Sequence, residues 1–232
     1  MLSLPLPLAL TARLLPVAVL ASAGWALSSG PLAAAPATGG RPAQGSPDTQ
    51  DAQSGSPGSA SPANPAATAK AYAAAPAPCV TLAKSTITSL VPGAKTAGKE
   101  IPSTDASIRR TCSWNALKGF DYRWLDVTFE ITDSQAAAQK AYTQRTAEKS
   151  GGGSVPGIGD DGYSVVNLTT EDKQQTREGV VLVRSSNALV SVTYNGSDFE
   201  TKKAPGTDEI NKGAIKAARE AVTALENGRK QS

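Results

Sequence analysis

The sequence predicts an α+β fold with two layers, in which an antiparallel sheet of about five strands is covered by three helices, in the order α-β-β-α-β-β-β-α. One observation is that segments with two-residue alternation of apolar side chains come in pairs joined by short turns, which is typical of antiparallel hairpins. The other is that three segments have helical periodicity, and amphipathic helices need an apolar sheet face to pack against.

The first half of the domain is predicted to contain one helix and two strands. Helical spacing of apolar residues begins at Val80, and Pro92-Gly93 ends the helix. A strand over residues 109–116 follows, and a second over residues 125–131 has the clearest alternation in the chain. The turn between them is expected at residues 118–119 or 120–121. The first strand places on one face Cys112, Trp114 and Ala116.

The second half is predicted to contain two helices and three strands. Asp133 or Ser134 caps a helix that runs to about Lys149, and three consecutive glycines end it. Strands are expected over residues 163–169, 179–184 and 188–194, and the last two form a hairpin. The final helix has the longest apolar stripe, formed by Ile210, Ala214, Ala218, Ala221, Val222 and Leu225.

Three composition zones predict the domain organisation. Residues 1–35 are expected to be a signal peptide or membrane anchor, because residues 14–27 are apolar and uncharged and follow Arg13. This run has the length of a signal-peptide core and is short for a membrane span. Residues 36–78 are rich in Pro, Ala, Ser and Gly and are expected to be a disordered linker. One folded domain is expected over residues 79–230. The protein is therefore expected to be secreted or extracytoplasmic, with membrane contact only through its N-terminal segment.

The chain contains two cysteines, Cys79 and Cys112. Export would place both in an oxidising compartment, where a pair of thiols is normally bridged. A disulfide bond between them is therefore expected. Closing a loop of this length stabilises a domain by roughly 3–4 kcal/mol through the lost entropy of the unfolded chain.

Composition excludes several classes of function. The net charge is +3, and the largest basic clusters are the pairs Arg109-Arg110 and Lys202-Lys203. A nucleic-acid binder needs a concentrated basic face, so nucleic-acid binding is not expected for this chain. The chain has no histidine, which removes Ser-His-Asp and Cys-His catalysis and most zinc sites. No cofactor, no metal site and no enzymatic activity are expected.

The glycine-rich loop over residues 151–162 contains one apparent motif. Its last six residues match G-x-G-x-x-G, but a dinucleotide site needs a strand before the glycines and a helix after them. Here a strand follows, and Asp160 and Asp161 would repel phosphate, so the motif is interpreted as a turn. A calcium site would need more oxygen ligands than these two carboxylates supply. Both remain candidate binding residues, since such loops often carry binding groups on a rigid scaffold and also serve as plain connections.

Aromatic residues on the first two strands form the other candidate site. Trp114, Tyr122 and Trp124 lie on neighbouring predicted strands and are candidates for lining a ligand groove. Aromatic residues at such positions also commonly form core or half-buried sheet surface. Both interpretations stay open on the sequence.

Three stretches carry a resemblance to a known group of proteins. They are Pro78-Cys79-x-x-Leu82 with Leu90-Val91-x-Gly93, then Cys112-x-Trp114, then Val155-x-Gly157-Ile158-Gly159-Asp160-x-Gly162-Tyr163. Over residues 78–226 the chain resembles small exported actinobacterial proteins that carry a domain of unknown function, many of them lipoproteins. The resemblance implies an envelope location and a disulfide bond between the matching cysteines. It implies no activity, and the chain lacks the lipid-bearing cysteine of those lipoproteins.

Taken together, the patterns predict a non-catalytic binding or interaction module on a flexible tether. Its partner would be an envelope protein or a small ligand. The alternative is a secreted hydrolase that uses Asp or Glu as acid and base, which needs two carboxylates facing each other in a cleft. The residues that line the main pockets would distinguish these two classes.

Overall fold

The computed structural model describes residues 70–230, all of which lie within one of the chain's two compact units, Gly58–Ser232. The expected signal peptide or anchor and the linker up to residue 69 lie outside the described residues. Among the helices described, none has the length and apolarity needed to cross a membrane. The helices are α1 (Lys84–Leu90), α2 (Gln135–Ala147) and α3 (Thr207–Lys230). The strands are β1 (Lys99–Ile101), β2 (Arg109–Lys118), β3 (Asp121–Ile131), β4 (Gly153–Ser154), β5 (Asp161–Glu171), β6 (Gln174–Ser185) and β7 (Ala188–Asp198).

The seven strands form one antiparallel sheet in the spatial order β1-β2-β3-β7-β6-β5-β4. Two meanders meet where β3 pairs with β7 along its whole length. An antiparallel α+β fold is therefore present, but the prediction of about five strands in the order α-β-β-α-β-β-β-α is wrong. The chain adds β1 and β4, which have three and two residues. Strands this short cannot show a two-residue period, so they could not be distinguished from loops.

The main hydrophobic core lies on one face of the sheet, called here the core face. Residues opposite one another in register share a face, and successive residues of a strand alternate between faces. On β3 the apolar residues of the predicted alternation all face this core, where they meet α1 and α3. Helix α3 packs closely on β6 at Gly179, where the missing side chain leaves room for Ile210. A Cβ atom at this position would lie only 2.9 Å from Cγ2 of Ile210.

Helix α2 packs on the opposite face, called here the outer face. Arg145 Nη2 donates to Glu130 Oε1 at 2.6 Å, and Glu130 points away from the core face. Ala138 of α2 is fully buried. The prediction that all three helices cover one face in a two-layer arrangement is therefore wrong. The physical cause is visible in β6, where residues 180–183 are four consecutive buried apolar residues, the pattern of a strand covered on both faces.

The predicted disulfide bond between Cys79 and Cys112 is confirmed, with 5.1 Å between the two Cα atoms. It ties the chain just before α1 to β2. The start of α1 differs from the prediction, since residues 78–80 form a 3₁₀ turn and Val80 is 80% exposed. Of the two residues predicted to cap α2, Asp133 and Ser134, the cap is Ser134, whose Oγ accepts a hydrogen bond from the backbone N–H of Ala137 at 3.1 Å.

The packed part of the chain begins before Cys79, inside the segment expected to be linker. Tyr72 and Ala75 are buried in the core. The Asn187 side chain, which is fully buried, accepts hydrogen bonds at Oδ1 from the backbone N–H groups of Ala71 and Tyr72, both at 2.8 Å. The boundary expected between residues 78 and 79 therefore lies further toward the N-terminus, at or before Ala71.

Candidate functional site

Beyond α2, the outer face presents a block of mostly polar side chains on the neighbouring strands β2, β3 and β7, and all of them except Ser113 are half-buried or exposed. Alternation along each strand and the antiparallel register bring these side chains into rows across the sheet. The first row is Thr111, Thr128 and Ser191. The second row is Ser113, Asp126 and Thr193. The third row is Asn115, Trp124 and Asn195.

A cavity of about 510 Å³ lies over the first two rows. Residues 101–104, which end β1 and follow it, form one wall. The cavity is also lined by Arg109, Thr111, Asp126, Thr128, Ser191 and Thr193. The hydroxyls of Thr111 and Thr128 are 2.9 Å apart and share one hydrogen bond. The lining is therefore made mostly of hydroxyl groups, with one carboxylate and one guanidinium.

Aromatic side chains adjoin this cavity through Asp126. Trp124 is 36% exposed, and its Nε1–H donates to Asp126 Oδ1 at 2.6 Å. The Tyr122 ring meets Trp124 edge to face at 6.4 Å between centroids, and Phe199 lies 6.1 Å from Tyr122 on its other side. Burial raises the pKa of Tyr122, and the negative charge of Asp126 adds to the effect. We call the cavity together with Tyr122, Trp124 and Phe199 the outer-face site.

Trp114, the third aromatic candidate from the sequence, is not part of this site. It pairs with Leu125 on the core face and is only 2% exposed. Its Nε1–H donates to the backbone carbonyl of Thr96 at 3.2 Å. A two-residue turn at residues 118–119 or 120–121 also pairs even-numbered residues of β2 with odd-numbered residues of β3. Because paired residues share a face, Trp114 and Trp124, which both have even numbers, must lie on opposite faces. The sequence therefore contained the signal that separates these two side chains.

The two candidate aspartates of the glycine-rich loop bind β6 and the turn that follows it. Asp160 Oδ2 accepts from Arg184 Nη1 at 2.9 Å and from the backbone N–H of Ser186 at 2.7 Å. Asp161 Oδ2 accepts from Arg184 Nε at 2.7 Å. These contacts hold the loop against the sheet. Within residues 70–230, no group of three or more metal-ligating side chains comes together.

A second cavity, of about 380 Å³, lies on the core face between α1, the β2–β3 hairpin and the start of α3. Arg123 lines it and donates from Nη1 to Asp121 Oδ1 and from Nη2 to Glu209 Oε1, each at 3.0 Å. The sequence did not reveal this cluster, because Glu209 lies in another element and only the folded chain brings it to β3. Lys118 and Tyr194 also line the cavity.

Burial and neighbouring charges shift the pKa of Arg123 in opposite directions. Burial lowers the pKa of the Arg123 guanidinium, but the negative charges of Asp121 and Glu209 outweigh burial, so the pKa is raised. Burial also raises the pKa of Tyr194, whose hydroxyl donates to the backbone carbonyl of Leu90 at 2.7 Å.

These features define the class of protein: an α+β domain with a seven-stranded antiparallel sheet, covered by helices on one face and partly open on the other. No protein-family model and no curated protein matches the sequence.

Several solved structures show weak similarity. One is a protein from Bacteroides thetaiotaomicron VPI-5482, with 11% identity and a TM-score of 0.33; the match covers 51% of this chain and 46% of that one. Another is the extracellular domain of PknH from Mycobacterium tuberculosis, with 10% identity, a TM-score of 0.27 and coverage of 51% and 64%. A third is Ara h 8.0201, with 11% identity, a TM-score of 0.19 and coverage of 68% and 94%. The chain thus spans about half of the first structure and under two thirds of the second. Similarities at these TM-scores assign neither a family nor an activity.

Proposed function

We propose that this protein is a non-catalytic binding or interaction module of the cell envelope, carried on a flexible tether that belongs to the linker predicted over residues 36–78 and lies before the packed segment at Ala71. The outer-face site is the observation that supports this proposal. Trp124 and Tyr122 present aromatic surface next to a polar cavity, and Asp126 fixes the indole of Trp124 by a hydrogen bond of 2.6 Å. Aromatic groups beside a few placed polar groups are typical of ligand sites.

The Cys79–Cys112 disulfide bond fits an extracytoplasmic location, since such bonds persist in oxidising compartments. Within that location, we propose that residues 1–35 direct export and either are removed or remain as a membrane anchor. The resemblance to exported actinobacterial proteins also supports an envelope location. Since the chain lacks the lipid-bearing cysteine of those lipoproteins, any attachment to the membrane would be through residues 1–35.

The hydrolase alternative has one observation in its favour. Asp121 and Glu209 line the same core-face cavity, as a carboxylate pair would. Arg123 lies between them and donates to each, so both carboxylates are held in ion pairs with the same guanidinium. A hydrolase needs its two carboxyl groups to face each other across the bound substrate, whereas here both bond to one arginine side chain. The arrangement therefore favours binding over hydrolysis.

Co-sedimentation with insoluble envelope material of the producing organism tests the proposal. The protein should sediment with this material, and the double variant Tyr122→Ala/Trp124→Ala should lose at least about ten-fold in affinity, a loss of about 1.4 kcal/mol. The matched control is Leu168→Ala, which removes a side chain that is 49% exposed on β5, away from the site. All three proteins should have similar melting temperatures.

Equal sedimentation of the double variant and the control would overturn the outer-face site as the binding surface. Release of soluble products from the envelope material, abolished by Asp121→Asn or Glu209→Gln, would replace the binding proposal with the hydrolase alternative.

A further inference from the structure

We infer that the outer-face site binds a chain of uncharged sugars, an inference that rests on the binding function proposed above. The inference comes from the juxtaposition, on one face of the sheet, of an exposed, oriented indole with a floor of hydroxyl groups.

The floor of the site matches a ligand that is itself rich in hydroxyl groups. Threonine and serine hydroxyls both donate and accept hydrogen bonds, as sugar hydroxyls do. The hydroxyls of Thr111 and Thr128 bond to each other, while those of Ser191 and Thr193 line the same cavity. Asn115 and Asn195 flank Trp124 in the third row, and their side-chain amides likewise donate and accept hydrogen bonds. This surface can form many hydrogen bonds without requiring a charged partner.

The charges of the site also favour an uncharged ligand. The cavity is lined by one carboxylate, Asp126, and one guanidinium, Arg109, which are of opposite sign. A polyanion such as a nucleic acid or a phosphate polymer needs several basic groups, and Asp126 would repel it. Asp126 accepts from Trp124 at Oδ1, and its Oδ2 has no partner among the hydrogen bonds of the described chain. That oxygen is therefore available to accept from a ligand hydroxyl.

Trp124 supplies the apolar half of carbohydrate recognition. A sugar ring has a C–H face that packs on an aromatic plane by dispersion and by burial of apolar area, while its hydroxyls stay at the rim. The hydrogen bond from Nε1 to Asp126 holds the indole in one orientation, so little rotamer entropy is lost when a ring packs on it. Tyr122 and Phe199 continue the aromatic surface beyond Trp124.

The length of the surface suits a chain rather than a single sugar. Six residue steps separate Tyr122 from Thr128 on β3, which is roughly 20 Å of strand at 3.3–3.4 Å per residue. Several linked sugar units would contact the aromatic end and the hydroxyl end at the same time. A monosaccharide would occupy only part of this surface.

Two other occupants fit the surface less well. A peptide that adds a strand binds at a sheet edge, whereas the middle of this site lies on the face of β3, which is paired with β2 on one side and with β7 on the other. A lipid surface would require an apolar face, whereas the floor carries hydroxyl groups and the Asp126 carboxylate.

The experiment compares three fractions of the same envelope: a protein-free polysaccharide fraction, extracted lipids formed into vesicles, and the solubilised envelope proteins. The full exported protein should bind the polysaccharide fraction, and Trp124→Ala should weaken this binding at least about ten-fold, which is about 1.4 kcal/mol. Thr128→Val, which replaces a hydroxyl by a methyl group of similar size, should weaken it several-fold. The matched control is Thr223→Val on the exposed surface of α3, which should bind normally.

The outcomes separate the two proposals. Binding to the lipid or protein fraction alone, still dependent on Trp124, would overturn the carbohydrate inference and leave the binding module standing. Binding to polysaccharide that Trp124→Ala and Thr128→Val leave unchanged would overturn the assignment of the sugar chain to this site. Absence of binding to every fraction would overturn both proposals.

Discussion

At the residue scale, the turn between β6 and β7 connects distant parts of the chain through Asn187. Its Oδ1 accepts from two backbone N–H groups of the N-terminal segment, and its Nδ2 donates to the carbonyls of Tyr72 and Thr132, each at 2.9 Å. All four hydrogen bonds of one buried amide are thus made inside the protein. The Tyr72 hydroxyl lies 3.1 Å from Ser185 Oγ, and Arg229 stacks over its ring.

Replacement of Asn187 by alanine should release this segment. We expect Asn187→Ala to lower the free energy of unfolding by about 2–4 kcal/mol, because it leaves buried backbone groups without partners. Denaturant unfolding measures the loss, and limited proteolysis should cut between residues 71 and 78 in the variant but not in the parent. The control is Asn227→Ala at an exposed position of α3. A loss no larger than that of the control would show that the segment is held by other contacts.

Tyr194 gives the domain a specific sensitivity to alkaline pH. Its pKa is raised by burial, so the folded state keeps the phenolic proton to a higher pH than the unfolded chain does. The corresponding stabilisation is complete below about pH 10, the ordinary value for tyrosine, and is lost as the pH rises through the raised value. We expect the stability difference between the parent and Tyr194→Phe to be constant near neutral pH and to shrink above about pH 10. A difference that stays constant at high pH would contradict this assignment.

At the scale of elements, the glycine-rich loop connects α2 to β5 and packs against the end of β6. Gly159 has a positive φ of 56°, and a Cβ atom there would lie 2.5 Å from the carbonyl oxygen of Arg184. Gly159 is therefore required both for its backbone conformation and for close approach to the sheet. Asp160 and Asp161 then fasten the loop through Arg184.

The variant Gly159→Val should therefore destabilise the domain by more than about 2 kcal/mol, through strain and steric overlap. The matched control is Gly153→Val, at a position where a Cβ atom would meet no atom within 4 Å. Thermal unfolding compares the two variants, and equal melting temperatures would contradict a structural role for the loop. The double change Asp160→Asn/Asp161→Asn should leave binding to envelope material unchanged, and its loss at unchanged stability would move the binding site to this loop.

At the scale of the whole molecule, the disulfide bond joins the start of the helical part to the sheet. Cys79 and Cys112 are 33 residues apart, and Cys112 is buried in the core beside Trp114. The bond restricts the unfolded chain between residues 79 and 112. Its contribution adds to the local packing of α1.

Loss of this bond should weaken the entire domain. We expect Cys79→Ala/Cys112→Ala to lower the free energy of unfolding by about 3–4 kcal/mol, from the unfolded-state entropy of a loop of this length. Denaturant unfolding of the oxidised parent, the reduced parent and the double variant measures the change. The reduced parent should resemble the variant, and unchanged stability in both would show that the bond constrains little.

The sequence by itself determined the features that depend on neighbours along the chain. Alternation predicted the five longer strands, capping residues predicted the start of α2 at Asp133 or Ser134, and the cysteine pair of an exported chain implied the disulfide bond. Tyr122 and Trp124 were also identified as candidates from the sequence. Each of these signals arises within a few residues or from the identity of one residue pair.

Only the tertiary structure decided what depends on contacts between distant segments. The pairing of β3 with β7 decided the strand order. Because β6 has apolar side chains on both faces, α2 covers it on the outer face, and the rest of that face stays open. The same register joined Trp124 to Asp126 and the row of hydroxyls, while it placed Trp114 in the core. Arg123 met Glu209, and Tyr72 met Asn187, only after the chain had folded. The periodicity of a strand or helix shows which side chains are buried, but it contains no information about which distant segment covers them.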